Sequence, residues 1–176
     1  MRADRDAAHK VAALTVVVTA ITLAGCKREP AAPAVWKSGT TVIPAAFSWD
    51  AESDAVADGA DGDLRWEHVG PTERYLVPVN GTEAAVVKYR GYEQVDGTFL
   101  ERWHMPKDRM PAGDAEGVLA PGAVVAFRTA QGALGKLKIV GFSSPDAQGG
   151  DEPAGATRAE HCHLEIAWTL FQSQQP

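Results

Sequence analysis

The stretch that most restricts the fold is residues 161–171, because its apolar side chains recur at every second position. The recurring side chains are Cys162, Leu164, Ile166, Trp168 and Leu170. Successive side chains point to opposite faces in a β-strand, whereas an amphipathic helix repeats after about 3.6 residues. We therefore predict a strand whose face with these five side chains points into the core.

Further strands are indicated by short runs rich in β-branched and aromatic residues. These runs are 40–49, which Pro44 interrupts or holds at an edge, 64–69, 74–79, 84–89, 123–129 and 137–142. Asn80 and Gly81 both tolerate positive φ and predict a type I′ turn. We expect this turn to join 74–79 and 84–89 as a hairpin, with the first strand at an edge because of Pro78.

Two segments between these strands are less regular. Residues 91–95 fit a short strand and 98–104 fit a strand or one helical turn, while prolines and glycines make most of 90–118 a loop. Residues 50–63 hold six acidic side chains and no basic one. Asp58, Asp61 and Asp63 lie among glycines, as in a calcium loop, but the EF-hand spacing is absent. We therefore interpret 50–63 as a solvated acidic loop between two strands.

These patterns define the fold class. No window after residue 26 keeps a period of 3.6 residues. The chain therefore predicts an all-β, antiparallel fold, a sandwich or a partly open barrel, after an N-terminal signal peptide helix. We assign a single all-β domain to residues 39–172, long enough to bury a sizeable core, and a tail to 173–176.

The N-terminus has the organisation of a secretory signal peptide. Arg2, Arg5 and Lys10 precede an apolar run of 14 residues, 11–24, that has no charge, proline or glycine. As a helix this run would span about 21 Å, against about 30 Å for a hydrocarbon core. It is therefore too short for a comfortable membrane span.

The apolar run ends in Leu23-Ala24-Gly25-Cys26. This motif resembles the lipobox of bacterial lipoproteins at all four positions, and the resemblance covers residues 1–26. It implies cleavage after residue 25, diacylglycerol on the sulfur of Cys26 and acylation, typically with palmitate, of the new N-terminus. An ordinary secretory peptide with a chance cysteine is the alternative.

Residues 26–38 are interpreted as a flexible tether, because they contain two prolines and no periodic apolar face. Lys27 stands where an aspartate would retain a lipoprotein in the inner membrane of enteric bacteria. The resemblance to that sorting rule implies a cell-envelope protein anchored by lipid to a membrane, more often the outer membrane.

Charge and cysteine content exclude some functions. Removing residues 1–25 leaves 14 basic and 21 acidic residues, a formal net charge of −7. Nucleic-acid binding needs clustered Lys and Arg, so we expect no nucleic-acid partner. The chain has two cysteines, so lipidation of Cys26 leaves Cys162 without an intramolecular partner, and we expect Cys162 to be a small core residue.

One polar cluster in the last strand could bind a metal. His161, His163 and Glu165 alternate on the face opposite Cys162. Side chains two residues apart on a strand are about 7 Å apart, which allows two imidazoles to share a metal ion. A solvent-facing polar strand produces the same pattern, and that interpretation stays open beside the metal site.

The mature domain also resembles HmuY-type haem-binding lipoproteins in strand order and a few residues. The similarity lies in Arg128-Thr129, the Gln131-Gly132 turn, the strand with 136–139, and the earlier strands with 47–50 and 64–67. It implies an all-β, lipid-anchored fold and a possible haem cofactor bound by histidines. No motif assigns the family's ligands to His68, His104, His161 or His163.

Motifs for enzymatic chemistry are missing from the sequence: there is no Gly-x-Ser-x-Gly, phosphate loop, His-Glu-x-x-His or Cys-x-x-Cys. Trp36 and Trp103, beside loops, are the tryptophans best placed to contact a small-molecule or protein ligand. We therefore expect a non-enzymatic, lipid-anchored protein that binds an unknown ligand or partner and needs no cofactor. Haem or metal binding through histidines is the alternative, followed by a hydrolase.

Overall fold

The computed structural model describes residues 31–70, 73–112, 118–143 and 162–172. Cys26, His161 and the tail 173–176 therefore lie outside the described residues. The elements in chain order are β1 (Val35–Ile43), β2 (Phe47–Asp50), β3 (Ala55–Asp58), β4 (Leu64–His68), β5 (Arg74–Pro78), β6 (Glu83–Val87), a 3₁₀ helix (Tyr92–Gln94), α1 (Gly97–Arg102), β7 (Met110–Ala112), β8 (Val124–Arg128), β9 (Leu134–Ser143) and β10 (His163–Phe171).

The strands form two five-stranded antiparallel sheets that do not close into a barrel, consistent with a sandwich. The first sheet has the order β1-β10-β9-β8-β6, and the second has the order β3-β2-β4-β5-β7. The all-β, antiparallel prediction is confirmed, and of the two architectures left open the structure fits the sandwich.

The chain passes from the first sheet to the second at Pro44, the residue predicted to interrupt a strand. β1 ends at Ile43 at the edge of the first sheet, and β2 begins at Phe47 in the second sheet. Ala46 has a φ of 68° in the intervening turn. Proline removes a backbone donor from the ladder, so the strand ends where the chain must turn toward the other sheet.

The predicted hairpin across Asn80-Gly81 is wrong, although the predicted turn is present. Asn80 and Gly81 have φ values of 50° and 87°, and the N–H of Thr82 donates to the carbonyl of Val79 at 2.9 Å. β5 nevertheless pairs with β4 and β7, while β6 pairs with β8 in the other sheet. Turn residues fix local dihedral angles, but the burial of each strand decides which sheet it joins.

The main core lies between the two sheets and contains three of the five tryptophans. Trp49 of β2 packs against Trp168 of β10 with ring centroids 5.5 Å apart, and against Phe127 of β8 at 5.8 Å. The buried indole N–H groups of Trp66 and Trp168 donate hydrogen bonds, to the carbonyl of residue 162 at 2.8 Å and to Thr41 Oγ1 at 3.0 Å. Buried polar groups need such partners, so the large aromatic rings sit in fixed positions.

The inward face predicted for the last strand is confirmed. Cys162, Leu164, Ile166, Trp168 and Leu170 are all buried. His163 and Glu165, between them, are half-buried. The match supports the interpretation of Cys162 as a small core residue.

A second apolar cluster covers the outer face of the first sheet. It joins Val124 and Ala126 of β8 to Leu100 of α1 and Phe171 of β10. Its members are Val87, Val95, Leu100, Met105, Val124, Ala126, Leu134 and Phe171. β8 is therefore buried on both faces, which explains its continuous apolar run 123–127.

Segment 91–112 differs from the sequence predictions in three details. Residues 92–94 form a 3₁₀ helix, so the short strand suggested for 91–95 is wrong. Residues 97–102 form a helix, so of the two alternatives for 98–104 the helical turn is correct. β7, at residues 110–112, lies in a stretch expected to be loop and pairs with β5. Because β7 pairs with β5, β5 lies in the interior of its sheet rather than at an edge. The pairing with β7 ends at Leu76 of β5, so Pro78 lies beyond the paired residues.

The sheet begins earlier than the predicted domain boundary at Gly39. β1 starts at Val35, and Val35 pairs with Phe171 of β10. Pro33 is buried, and the N–H of Gln172 donates to the carbonyl of Ala34 at 2.9 Å. Residues 33–38, assigned to the flexible tether, are therefore part of the folded domain in the structure.

Replacement of Trp168 by alanine should lower the free energy of unfolding by about 3–5 kcal/mol, because it removes a buried aromatic ring and leaves a cavity. His163→Ala, on the outer face of the same strand, should cost only about half a kcal/mol. Urea unfolding of both variants measures the difference. Equal losses in the two variants would contradict the inward face described above.

Candidate functional site

A cleft beside α1 gathers two arginines and two aromatic rings. It has a volume of about 330 Å³ and is lined by Arg90, Asp96, Thr98, Phe99, Arg102 and Trp103. Asp96 caps the helix, since its Oδ1 accepts a hydrogen bond from the N–H of Phe99 at 2.8 Å. Trp103 follows the last helical residue and turns the chain out of the helix. The local sequence therefore places an aromatic ring near each end of one short helix.

One guanidinium group and the two aromatic rings of the cleft lie against one another. The guanidinium of Arg90 lies 4.6 Å from the centroid of the Phe99 ring, and that ring lies 4.7 Å from Trp103. The indole Nε1 of Trp103 is buried and has no hydrogen-bond partner within the described residues. Arg90 and Arg102 are exposed. The two arginines thus present donors to solvent beside two tilted aromatic rings, whereas the Trp103 Nε1 is enclosed.

The lining residues offer groups that can bind a ligand. Guanidinium groups and an indole N–H donate hydrogen bonds to anionic or carbonyl oxygens, and aromatic rings accept the apolar faces of ligands. Asp96, the carboxylate among the lining residues, already caps α1. The cleft therefore has the donors expected for an anionic or polar ligand with an apolar part.

The two tryptophans predicted to contact a ligand have different positions. Trp103 lines the cleft. Trp36 lies outside the cleft, at a bulge near the start of β1. Trp36 is 45% exposed, and the Nζ of Lys37 lies 5.0 Å from its ring centroid. Ligand contact by either tryptophan stays a prediction, and the geometry favours Trp103.

The segment that carries the cleft is attached to the first sheet by a buried lysine. Lys136 of β9 is buried, its Nζ donates to the carbonyl of Tyr92 at 2.7 Å and it lies 4.2 Å from the centroid of the Tyr92 ring. The Tyr92 hydroxyl is 2.8 Å from the hydroxyl of Thr169. Burial lowers the pKa of Lys136 and raises the pKa of Tyr92. Lys136 continues the alternation of polar and apolar residues in β9, so no pattern in the sequence distinguishes it from a solvent-facing strand residue.

Three carboxylates converge near the end of β2. Oxygens of Asp50, Glu52 and Asp63 lie within 4.8 Å of one another. Asp63 is buried and accepts hydrogen bonds from the N–H of Ala51 at 2.9 Å and from the hydroxyl of Thr82 at 2.8 Å. The interpretation of 50–63 as a solvated loop is therefore wrong for Asp63, and it also missed the strand β3 within this stretch.

Hydrogen bonds within the protein account for the position of each carboxylate. Glu52 accepts from the hydroxyl of Thr129 at 2.5 Å, and the backbone carbonyl of Glu52 accepts from Lys37. Asp50 accepts from the N–H and the hydroxyl of Ser53, both at 2.8 Å. Lys37 lies in β1, Thr129 directly follows β8 and Thr82 directly precedes β6, all three strands of the first sheet, so we interpret the carboxylate cluster (Asp50, Glu52 and Asp63) as a joint between the two sheets.

The pKa of Asp63 is raised to about 6, chiefly by burial and in smaller part by the neighbouring carboxylate of Glu52, against the opposing effect of the two donors. Removal from water disfavours the charged form of an acid, and a like charge does the same. Asp63 is therefore partly protonated near pH 6, unlike an ordinary surface aspartate.

The predicted metal cluster in the last strand is described only in part. His163 and Glu165 lie on the same face of β10, as predicted, while His161 lies outside the described residues. His68 lies near the same end of the sandwich. Its ring centroid is 5.4 Å from that of Trp66, and the indole N–H of Trp66 donates to the carbonyl of Cys162, the residue before His163. Metal binding by His161, His163 and Glu165 stays a prediction.

In comparisons with family models, curated proteins and solved structures, no match to this chain was found. Within the described part of the chain, no helix has both the length and the apolar character needed to cross a membrane. The chain's own residues are therefore the basis for a function.

The raised pKa of Asp63 predicts a dependence of stability on pH. Its folded value of about 6 lies above the unfolded value of 3.8, so the folded state binds the proton more tightly. Unfolding free energy, relative to an Asp63→Asn variant, should therefore be highest below pH 4, fall as the pH rises to about 6, and stay constant above. The expected loss is on the order of 1–3 kcal/mol.

Urea unfolding at a series of pH values measures this loss. Asp61→Asn, at an exposed position of the same segment, is the matched control and should follow the wild type at each pH. A wild-type curve parallel to that of Asp63→Asn across this pH range would disprove the raised pKa.

Proposed function

We propose that this chain is a lipid-anchored protein of the bacterial cell envelope whose β-sandwich domain binds a ligand without catalysing a reaction. The cleft beside α1 is the proposed binding site. The observation that carries the proposal is the buried Nε1 of Trp103, which has no partner in the described part of the protein and lies beside two arginines. An unpaired buried donor is costly, and a ligand oxygen would satisfy it.

Anchoring is supported by the four matching residues at 23–26 and by the composition of the segment before them. Several acyl chains hold a protein on a membrane durably, since each buried methylene contributes about 0.8 kcal/mol. Lys27 supports the outer membrane as the destination. The structure adds that only residues 27–32 separate the proposed anchor from Pro33, which is buried in the domain.

Haem or metal binding through histidines is the second candidate function. The observation in its favour is that His68 and His163 lie near the same end of the sandwich, around Trp66 and Cys162. A haem titration followed by absorbance tests it, with His68→Ala and His163→Ala as the variants expected to lose the signal.

The anchoring proposal predicts the outcome of two cysteine substitutions. Cys26→Ala should abolish incorporation of labelled palmitate, because it removes the sulfur that carries the diacylglycerol. Cys162→Ala is the matched control and should keep the label, since Cys162 is buried in the sandwich. Metabolic labelling of cells that produce each variant measures both results, and a labelled Cys26→Ala protein would overturn the proposal.

A further inference from the structure

The direction in which the chain leaves the folded domain relates the cleft to the proposed anchor. Pro33 packs against Gly97, the first residue of α1, so closely that a Cβ atom added to Gly97 would lie 2.5 Å from the Cβ of Pro33. Trp103 is six residues further along, which corresponds to about 9 Å of helix rise. The chain therefore enters the domain beside the cleft.

The length of chain before Pro33 limits how far the cleft can be from the membrane. Seven residue steps separate Cys26 from Pro33, and a fully extended chain covers at most about 25 Å over that length. Lipid on Cys26 would place that residue at the bilayer surface. Pro33, which packs against the start of α1, can therefore lie no more than about 25 Å from the lipidated residue.

The surface around the cleft has the composition of a membrane contact. Tyr89 is 94% exposed and stands between Lys88 and Arg90, which are also exposed. Tyrosine and tryptophan favour the interface between water and lipid, and each Lys or Arg near an anionic bilayer contributes about 1 kcal/mol.

Acidic residues on the same segment limit the strength of a general electrostatic attraction. Glu93, Asp96 and Glu101 are exposed there, and the protein as a whole has a formal net charge of −6. A contact spread over the whole face would therefore be weak. A single headgroup held in the cleft by Arg90 and Arg102 concentrates the attraction at one site, where two cationic side chains outnumber the one carboxylate of the lining, Asp96, which already caps α1.

We propose that the cleft beside α1 binds the phosphate group of an anionic phospholipid in the membrane that carries the Cys26 anchor. The arginines bind the phosphate oxygens, as guanidinium groups do in many phosphate sites, and the indole N–H of Trp103 supplies a further donor. The Phe99 and Trp103 rings contact the apolar part of the lipid. This inference rests on the proposed lipid anchor, and it names the ligand class of the proposed binding site.

The test uses the full lipidated protein in vesicles that contain brominated phospholipid, with Trp36→Phe as the parent. Trp103 is then the one tryptophan of the chain that is not buried, because Trp49, Trp66 and Trp168 are enclosed in the core. We expect bromine to quench Trp103 fluorescence in vesicles containing phosphatidylglycerol, and much less in vesicles of phosphatidylcholine alone. Raising the salt to about 1 M, where the Debye length is about 3 Å, should reduce the quenching.

Two arginine substitutions distinguish a specific site from general proximity. Arg102→Gln should raise about fivefold the fraction of anionic lipid that gives half-maximal quenching, the effect of losing about 1 kcal/mol. Arg109→Gln is the matched control, because Arg109 is exposed but lies 4.9 Å from the ring of Tyr75 in the other sheet. It should leave the midpoint unchanged. Equal shifts in both variants, or none in either, would overturn the proposal.

Vesicle flotation separates failure of this inference from failure of the anchor. A protein that floats with both kinds of vesicle but shows no quenching that depends on anionic lipid retains its anchor and disproves the cleft proposal. A protein that floats with neither disproves the anchor, and the inference with it. Inorganic phosphate added to phosphatidylcholine vesicles should leave Trp103 emission unchanged, and a saturable change requiring Arg102 would show a site for free phosphate instead.

Discussion

The contact between Trp49 and Trp168 joins the two sheets and determines most of the surrounding structure. Trp168 comes from the fourth-last position of β10, and Trp49 comes from a four-residue strand of the other sheet. Space for these rings exists because Gly39 faces Trp168 across the strand pair, where an added Cβ would lie 2.9 Å from the indole. A similar arrangement occurs at Gly135, where a Cβ would lie 2.1 Å from the ring of Phe127. Large aromatic rings opposite glycines fix the register of the first sheet.

The domain has two apolar layers rather than one, and the second layer carries the candidate binding site. One cluster lies between the sheets, and the other lies between the first sheet and the segment that contains α1. Lys136 reaches across the second layer to the carbonyl of Tyr92 and so fixes this segment on the sheet. The first sheet therefore supports the cleft through a segment that has little regular structure of its own. Binding residues are commonly placed in this way, on irregular segments supported by a scaffold.

The carboxylate cluster and the cleft use charge for different purposes. In the cluster, protein donors already bind the carboxylates. Asp63 lies close to Glu52, whose negative charge contributes to the raised pKa of Asp63. In the cleft, Arg90 and Arg102 are exposed beside two aromatic rings, and the buried Nε1 of Trp103 has no hydrogen-bond partner among the described residues. A group whose hydrogen bonds are satisfied inside the protein stabilises the fold, whereas unsatisfied donors at a surface are available to a ligand. This difference is why we place binding at the cleft and a structural role at the carboxylates.

Local chemistry in the sequence determined most of the strands, though not β3 or β7, the turn at Asn80-Gly81 and the inward face of residues 162–170, because alternation and turn dihedral angles depend on near neighbours. It also supplied the resemblance of residues 23–26 to a lipobox, on which the proposed anchor rests, and drew attention to Trp103. Only the tertiary structure decided that the strands on either side of Asn80-Gly81 belong to different sheets, that Asp63 is buried, and that Pro33 packs against Gly97. Each of these depends on contacts between residues far apart in the chain, such as Asp63 with Thr82 and Lys136 with Tyr92. Side-chain burial across two sheets sets such contacts, and no pattern within a short window of sequence records them.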